Sequence, residues 1–203
     1  MYVIGVAGGS GSGKTTLVNR ILRKLPQDCV IQIPQDVYYI DMAHLPLEER
    51  RKQNYDHPNS IEWELIVQQI RDLKNGKTIE QPTYSYLNCT REPETITIQP
   101  AKLLIVEGIL LYTCPELCNE IDLKIFRDVP PDYRLSRIIR RDMKSRGRSA
   151  MEVIERYFRV VRPMHEEFIE KSKENADILL SGGEVEEKAV DYIVGGILKI
   201  IGK

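Results

Sequence analysis

Eight consecutive residues carry the most explicit chemistry in the chain: Gly8-Gly9-Ser10-Gly11-Ser12-Gly13-Lys14-Thr15 fits the pattern G-x-x-x-x-G-K-[ST]. Glycines at this spacing let backbone N–H groups converge on phosphate oxygens, and the N-terminus of a following helix adds positive potential. Lys14 is placed to reach the β- and γ-phosphates, the Thr15 hydroxyl to ligate Mg²⁺, and Thr16 completes the nucleotide-contacting set. Two carboxylates extend the site. Asp36 follows the apolar run Val30 to Ile33 and precedes Tyr38-Tyr39, which sets it at the carboxyl edge of a sheet, near the γ-phosphate, where a base belongs. Glu107-Gly108 closes the run Leu103-Leu104-Ile105-Val106, the position of an acid that holds the Mg²⁺ shell. These residue types predict a nucleoside triphosphate donor, ATP or GTP, with Mg²⁺. The guanine-reading pattern Asn-Lys-x-Asp is absent, which removes the usual signature of a GTPase.

The elements that must hold these residues are legible as alternating patterns. Apolar runs of strand length, Tyr2 to Ala7, Cys29 to Ile33, Leu103 to Val106, Leu123 to Phe126 and Ile178 to Leu180, are interspersed with helical periodicity such as Thr15 to Leu25. This succession predicts an α/β fold with a doubly wound parallel sheet, whose ligands sit outside the carboxyl ends of the strands. Ser60 reads as the N-cap of a helix carrying Ile61, Leu65, Ile66, Ile70 and Leu73 on one face and closed by Gly76. Residues 78–100 break the pattern: Pro82, Tyr84 and Tyr86 lead to Thr95-Ile96-Thr97-Ile98, which alternates like a half-buried strand and ends at Pro100. They predict a small β-hairpin flap, an insertion within one domain that spans 1–203. Leu180-Ser181-Gly182-Gly183-Glu184 reads as a strand-to-helix turn.

Composition narrows the partners. The 203 residues balance 29 Lys+Arg against 30 Asp+Glu and are 42% hydrophobic, enough for one sizeable core and without a global charge that attracts nucleic acid or anionic membrane. No apolar run nears the roughly 20 residues of a membrane span, because Lys102, Glu107 and Asp122 interrupt the most hydrophobic stretch. Four cysteines (Cys29, Cys89, Cys114, Cys118) lack the spacing of a disulfide framework or a zinc site, and Met-Tyr-Val-Ile-Gly leads straight into a strand. The expectation is a cytoplasmic protein with free thiols. Arg134, Arg137 and Arg141 share one helix face, which allows a solvated or RNA-facing surface. Arginines on a closing lid that neutralises charge on a transferring phosphoryl group account for the run better.

Beyond the phosphate loop, Gln35-Asp36-Val37-Tyr38-Tyr39, Asn54-Tyr55-Asp56-His57-Pro58, Pro82-Thr83-Tyr84, Glu107-Gly108-Ile109-Leu110, Arg141-Asp142, Arg146-Gly147-Arg148 and Arg162-Pro163 occur in this order. Together they resemble the uridine kinase family of P-loop kinases along nearly the whole chain. The resemblance implies transfer of the ATP γ-phosphate to the 5′-hydroxyl of uridine or cytidine, as in pyrimidine salvage. It implies Asp36 as base or orienter of that hydroxyl, Asp56 on the ribose hydroxyls, and Tyr55, Tyr84 and Tyr86 around the pyrimidine. It also implies an arginine lid over about 134–150 with Arg141, Arg146 and Arg148 at the phosphates, and a homo-oligomer, often a tetramer. Three acceptor-side positions depart from the family pattern: Cys89 where a base-reading histidine is expected, Ile138 where an arginine is expected, and Arg156 where a glutamine is expected. These departures leave two alternatives beside the nucleoside kinase: a P-loop kinase for another hydroxyl acceptor, such as a sugar phosphate or modified nucleoside, or a nucleotide-binding regulator without turnover.

Overall fold

The computed structural model describes residues 1–202. Five strands, β1 (Tyr2–Ala7), β2 (Val30–Pro34), β5 (Leu103–Gly108), β6 (Leu123–Asp128) and β7 (Ile178–Ser181), form a parallel sheet in the order β2-β5-β1-β6-β7. The near-continuous apolar runs follow from this position: β1 and β5 are covered on both faces, and every residue of β5 is buried. On one face lie α1 (Lys14–Lys24) and the C-terminal helix Glu187–Ile200, where Leu17, Val18 and Ile21 meet Val190, Val194 and Ile197 over Ile4, Val6 and Ile105. On the other lie α3 (Trp63–Lys74) and α4 (Pro115–Glu120), with Ile66, Ile70, Leu73 and Leu117 packed over Val3, Leu104 and Val106.

Sequence and structure differ at the start of α3. Ser60 is not its N-cap. Pro58 opens a short 3₁₀ turn, Pro58–Ser60, in which His57 Nδ1 accepts from the Asn59 N–H at 3.0 Å and the Ser60 hydroxyl donates back to the His57 carbonyl at 2.7 Å. Ile61 then leaves the helical path to form an isolated antiparallel bridge with Tyr39, and the helix begins at Trp63. The bridge ties the loop that carries Asp56 to the turn that carries Asp36. At the far end Gly76 adopts φ +77° and closes the helix, as its sequence position suggests.

The segment over 78–100 is a hairpin of its own. β3 (Ile79–Ser85) and β4 (Thr90–Ile98) pair antiparallel as a separate two-stranded sheet, with a register shift at Pro82/Thr83, where Pro82 lacks a donor for the ladder. The remaining helices are α2 (Leu47–Lys52), α5 (Pro131–Ser145), α6 (Ala150–Arg156) and a helical run from 157 to 175 that contains two π-helical turns, Tyr157–Val161 and His165–Ile169. Ile138, Val153, Tyr157 and Val161 join α5 to this run in a small satellite core.

Candidate active site

The site begins where β1 ends. Gly8 and Gly11 have φ of +146° and +76°, and a Cβ on either would meet a backbone oxygen, that of Arg127 at 2.6 Å or Arg134 at 2.5 Å. Only glycine fits between the sheet and α5 at these points, and Gly13, at φ +84°, starts α1. Lys14 follows at the mouth of the loop. Burial lowers its proton affinity, and Glu107 and Asp36 oppose that shift. The Thr15 hydroxyl donates to Glu107 Oε2 at 2.8 Å, and Gln32 Nε2 on the neighbouring strand donates to Oε1 at 3.1 Å. Burial raises the Glu107 carboxyl above its ordinary value, with Lys14 and Thr15 pulling it back. A hydroxyl and a carboxylate side by side are the hard oxygen donors that suit Mg²⁺, which in kinase sites takes few protein ligands and completes its shell with phosphate and water. Thr16, like Thr15, is exposed on the first turn of α1, and of the two it is Thr15 that reaches Glu107.

Asp36 lies in the 3₁₀ turn Gln35–Tyr38 directly after β2. The turn is held by buried Gln35, whose Oε1 accepts from the Leu110 N–H at 2.9 Å. Gly108 leaves room for that side chain, since a Cβ there would lie 2.0 Å from Gln35 Oε1. Asp36 Oδ2 accepts from the Tyr86 hydroxyl at 2.9 Å, and Oδ1 lies 3.5 Å from the hydroxyl of Tyr39.

Two cavities meet at this carboxylate. One, of about 330 Å³, is lined by Lys14, Thr15, Glu107, Gly108, Arg141 and Arg146 as well as Asp36 and Tyr86. The other holds Asp36, Asp56, Cys89, Ile138, Arg148 and Arg156 together with four tyrosines. Rings of Tyr39, Tyr55, Tyr84 and Tyr86 stand edge-on or tilted to one another at centroid distances of 5.0–6.4 Å, from Tyr39–Tyr55 through Tyr55–Tyr84. This aromatic cavity measures about 100 Å³.

Asp56 is almost fully buried, and its Oδ2 accepts from Arg156 Nη2 at 3.0 Å. Burial raises its proton affinity and Arg156 opposes the rise. Ile138 faces the same cavity as a buried apolar side chain, so the cation paired with Asp56 comes from α6 instead of α5. Cys89 sits at the hairpin end of the flap with φ +50°, and its carbonyl lies 3.2 Å from the Tyr55 hydroxyl.

The arginines are gathered by a residue that sequence reasoning left without a role. Asp142, 2% exposed, pairs with Arg141 Nε at 2.8 Å, Arg148 Nη1 at 3.1 Å and Arg146 Nη1 at 3.5 Å. Arg146 also lies over the Tyr86 ring, 4.9 Å from its centroid, which ties the arginine segment to the flap. Arg134 and Arg137 do not form a solvated face with Arg141. Arg134 is buried, and Arg137 donates to the carbonyls of Gly11, at 3.3 Å, and Gly183. Asp142, Gln32, Gln35 and Tyr39 are the members of the site that sequence reasoning missed. Gln35, Tyr39 and Asp142 stood inside matched motifs, whereas no spacing marks Gln32.

The model of the "Phosphoribulokinase / Uridine kinase family" matches residues 3–188. The chain is similar to a uridine kinase of Staphylococcus carnosus, 47% identical over 98% of this chain and 96% of that one, and to a uridine kinase of Macrococcus caseolyticus, 46% identical over 98% and 97%. Among solved structures, phosphoribulokinase from Rhodobacter spheroides superposes with a TM-score of 0.63 at 18% identity, covering 89% of this chain and 69% of that one, which speaks to fold alone.

Proposed function

The chain belongs to the phosphoribulokinase/uridine kinase family, and from that premise we propose that it transfers the γ-phosphoryl group of ATP to the 5′-hydroxyl of uridine or cytidine. The observation that carries the reading is Asp36, which lines both the phosphate-side cavity and the tyrosine-walled cavity. An acceptor hydroxyl that replaces the Tyr86 hydroxyl on Asp36 Oδ2 would be oriented, and its proton accepted, beside the place where Lys14 and the arginines gather phosphate charge.

In this reading the backbone of Gly8 to Gly13, with Ser10 and Ser12, cradles the phosphates, and Thr15 and Glu107 would hold Mg²⁺, which would supply charge neutralisation at the phosphates. Arg141, Arg146 and Arg148 neutralise charge that grows on the transferring group and, with the flap over them, keep water out. Tyr55, Tyr84, Tyr86 and Cys89 frame the base. Asp56 and Arg156 act as a pair on the ribose hydroxyls, one accepting and one donating. ATP is the donor assigned here, as membership of the kinase family implies.

The test is ATP consumption with Mg²⁺ against uridine, cytidine, other nucleosides, and pentoses with and without phosphate. Turnover with uridine or cytidine supports the reading, and turnover with only a sugar phosphate replaces the acceptor while leaving the donor side intact. We propose further that the protein acts in the cytoplasm as a homo-oligomer, a tetramer by family analogy, which light scattering on the purified chain tests. No helix among the described residues is long and apolar enough to cross a membrane.

A further inference from the structure

A third cavity, of about 780 Å³, opens between α5 and the helical run that follows α6, and it shares no lining residue with the two cavities of the site. In its wall, against the back of the phosphate loop, is Arg134. The residue is 3% exposed, its Nε donates to the Val129 carbonyl at 3.0 Å, and its Nη1 has no hydrogen-bond partner among the described residues. A Cβ on Gly9 would lie 2.8 Å from that Nη1, so nothing separates the guanidinium from the loop backbone.

The charges around Arg134 are already committed elsewhere. Asp128 and Glu170 pair with Lys173, and Glu166 pairs with Arg162. His165, whose ring also abuts Gly9, presents Nε2 to Glu170 at 3.2 Å, and burial next to Arg134 pushes its pKa down to about 4, so it stays neutral. Arg134 is thus a buried cation in direct contact with the phosphate loop and with no ion-pair partner among the described residues. Burial of an unpaired charge destabilises a fold, so its counter-charge is to be sought outside the chain.

We propose that Arg134 is a positioning residue of the phosphate site, its charge matched through the loop by the phosphates of the bound nucleotide instead of by a carboxylate of the chain. The inference rests on the phosphate loop being an ATP site. It requires that Arg134 cost stability when the site is empty and strengthen binding in proportion to phosphate charge. A residue that only packs the loop would affect every nucleotide alike.

The experiment is calorimetric titration of the protein and its R134M variant with ATP, ADP and AMP, with melting curves of the nucleotide-free proteins. The expected result is a loss of ATP affinity of about tenfold, a smaller loss for ADP and the smallest for AMP, without a lower melting temperature for empty R134M. Equal losses for all three nucleotides, unchanged ATP affinity, or a clearly lower melting temperature would each overturn the proposal. Should R134M not fold, R134K and R134Q decide it: retained charge should hold ATP affinity within about threefold of the parent while the neutral variant loses it, and equal losses overturn the idea. An unaltered protein that binds no ATP would remove both this inference and the function on which it rests.

Discussion

Asp36 stands between two tyrosine hydroxyls and at the junction of two cavities, and it makes no ion pair among the described residues. A carboxylate so placed is available to take a proton from an incoming alcohol. Asp36→Asn should therefore lower kcat by about 10²- to 10⁴-fold while thermal unfolding stays close to that of the parent, measured by steady-state kinetics and circular dichroism. A near-normal kcat would remove the base assignment. Asp56 poses the opposite case, since burial raises its proton affinity and Arg156 holds it down. Arg156→Gln removes the opposing charge, so the Asp56 carboxyl should stay protonated to higher pH. The acidic limb of kcat/KM for the acceptor should then move to higher pH, and KM should rise by about tenfold, a cost in the range of one lost buried polar contact. An unmoved limb would show that the two residues do not act as a pair.

At the scale of elements, α5 does two jobs with one face. Its first turns press Arg134 and Arg137 on the phosphate loop, and its last turns present Arg141 and the buried Asp142 to the site. Asp142→Asn keeps the shape but removes the charge that gathers three arginines. It should lower kcat by about tenfold or more with little change in ATP affinity, because aligned donors are lost where charge develops. Rapid-quench measurement of the chemical step checks it, and an unchanged step would mean that the arginines find their positions without Asp142. Helical periodicity told which arginines share a face but not what covers it, because the covering loop lies more than a hundred residues earlier in the chain. The phosphate loop, Asp36 and Glu107 were legible because each stands at the carboxyl end of an apolar run, and the parallel order of the sheet brings strand ends together. Ser60 misled for a local reason: Pro58 starts a tighter turn two residues before it, and the Tyr39–Ile61 bridge draws the chain away from the helix axis. The flap was legible from alternation, but its closeness to Asp36 depends on the Tyr86 hydroxyl, which no alternation reveals. Cys89 stands at φ +50°, a conformation in which histidine is enriched. Cys89→His should improve kcat/KM for uridine or cytidine if this position faces the base, and no change would set it outside the base contacts.

For the molecule as a whole, His165 predicts how stability varies with pH. Its folded pKa, about 4, lies below the ordinary 6.5. Between those values the unfolded chain takes up a proton that the folded chain refuses. This contribution is therefore complete above about pH 6.5 and declines as the pH falls toward 4. Urea midpoints should drop over that interval in the parent and drop less in His165→Asn; parallel curves would show that another group governs the decline. The contact between Tyr86 and Asp36 has a consequence at this same scale. While no acceptor is bound, the proposed base already holds a hydroxyl belonging to the protein, under a flap that Arg146 covers. Water arriving at the γ-phosphate would then meet an occupied carboxylate, and idle hydrolysis of ATP would be suppressed. Tyr86→Phe should leak, splitting ATP in the absence of any alcohol; such a leak would mean that the tyrosine which yields to the right guest also guards the ATP pool while the enzyme waits.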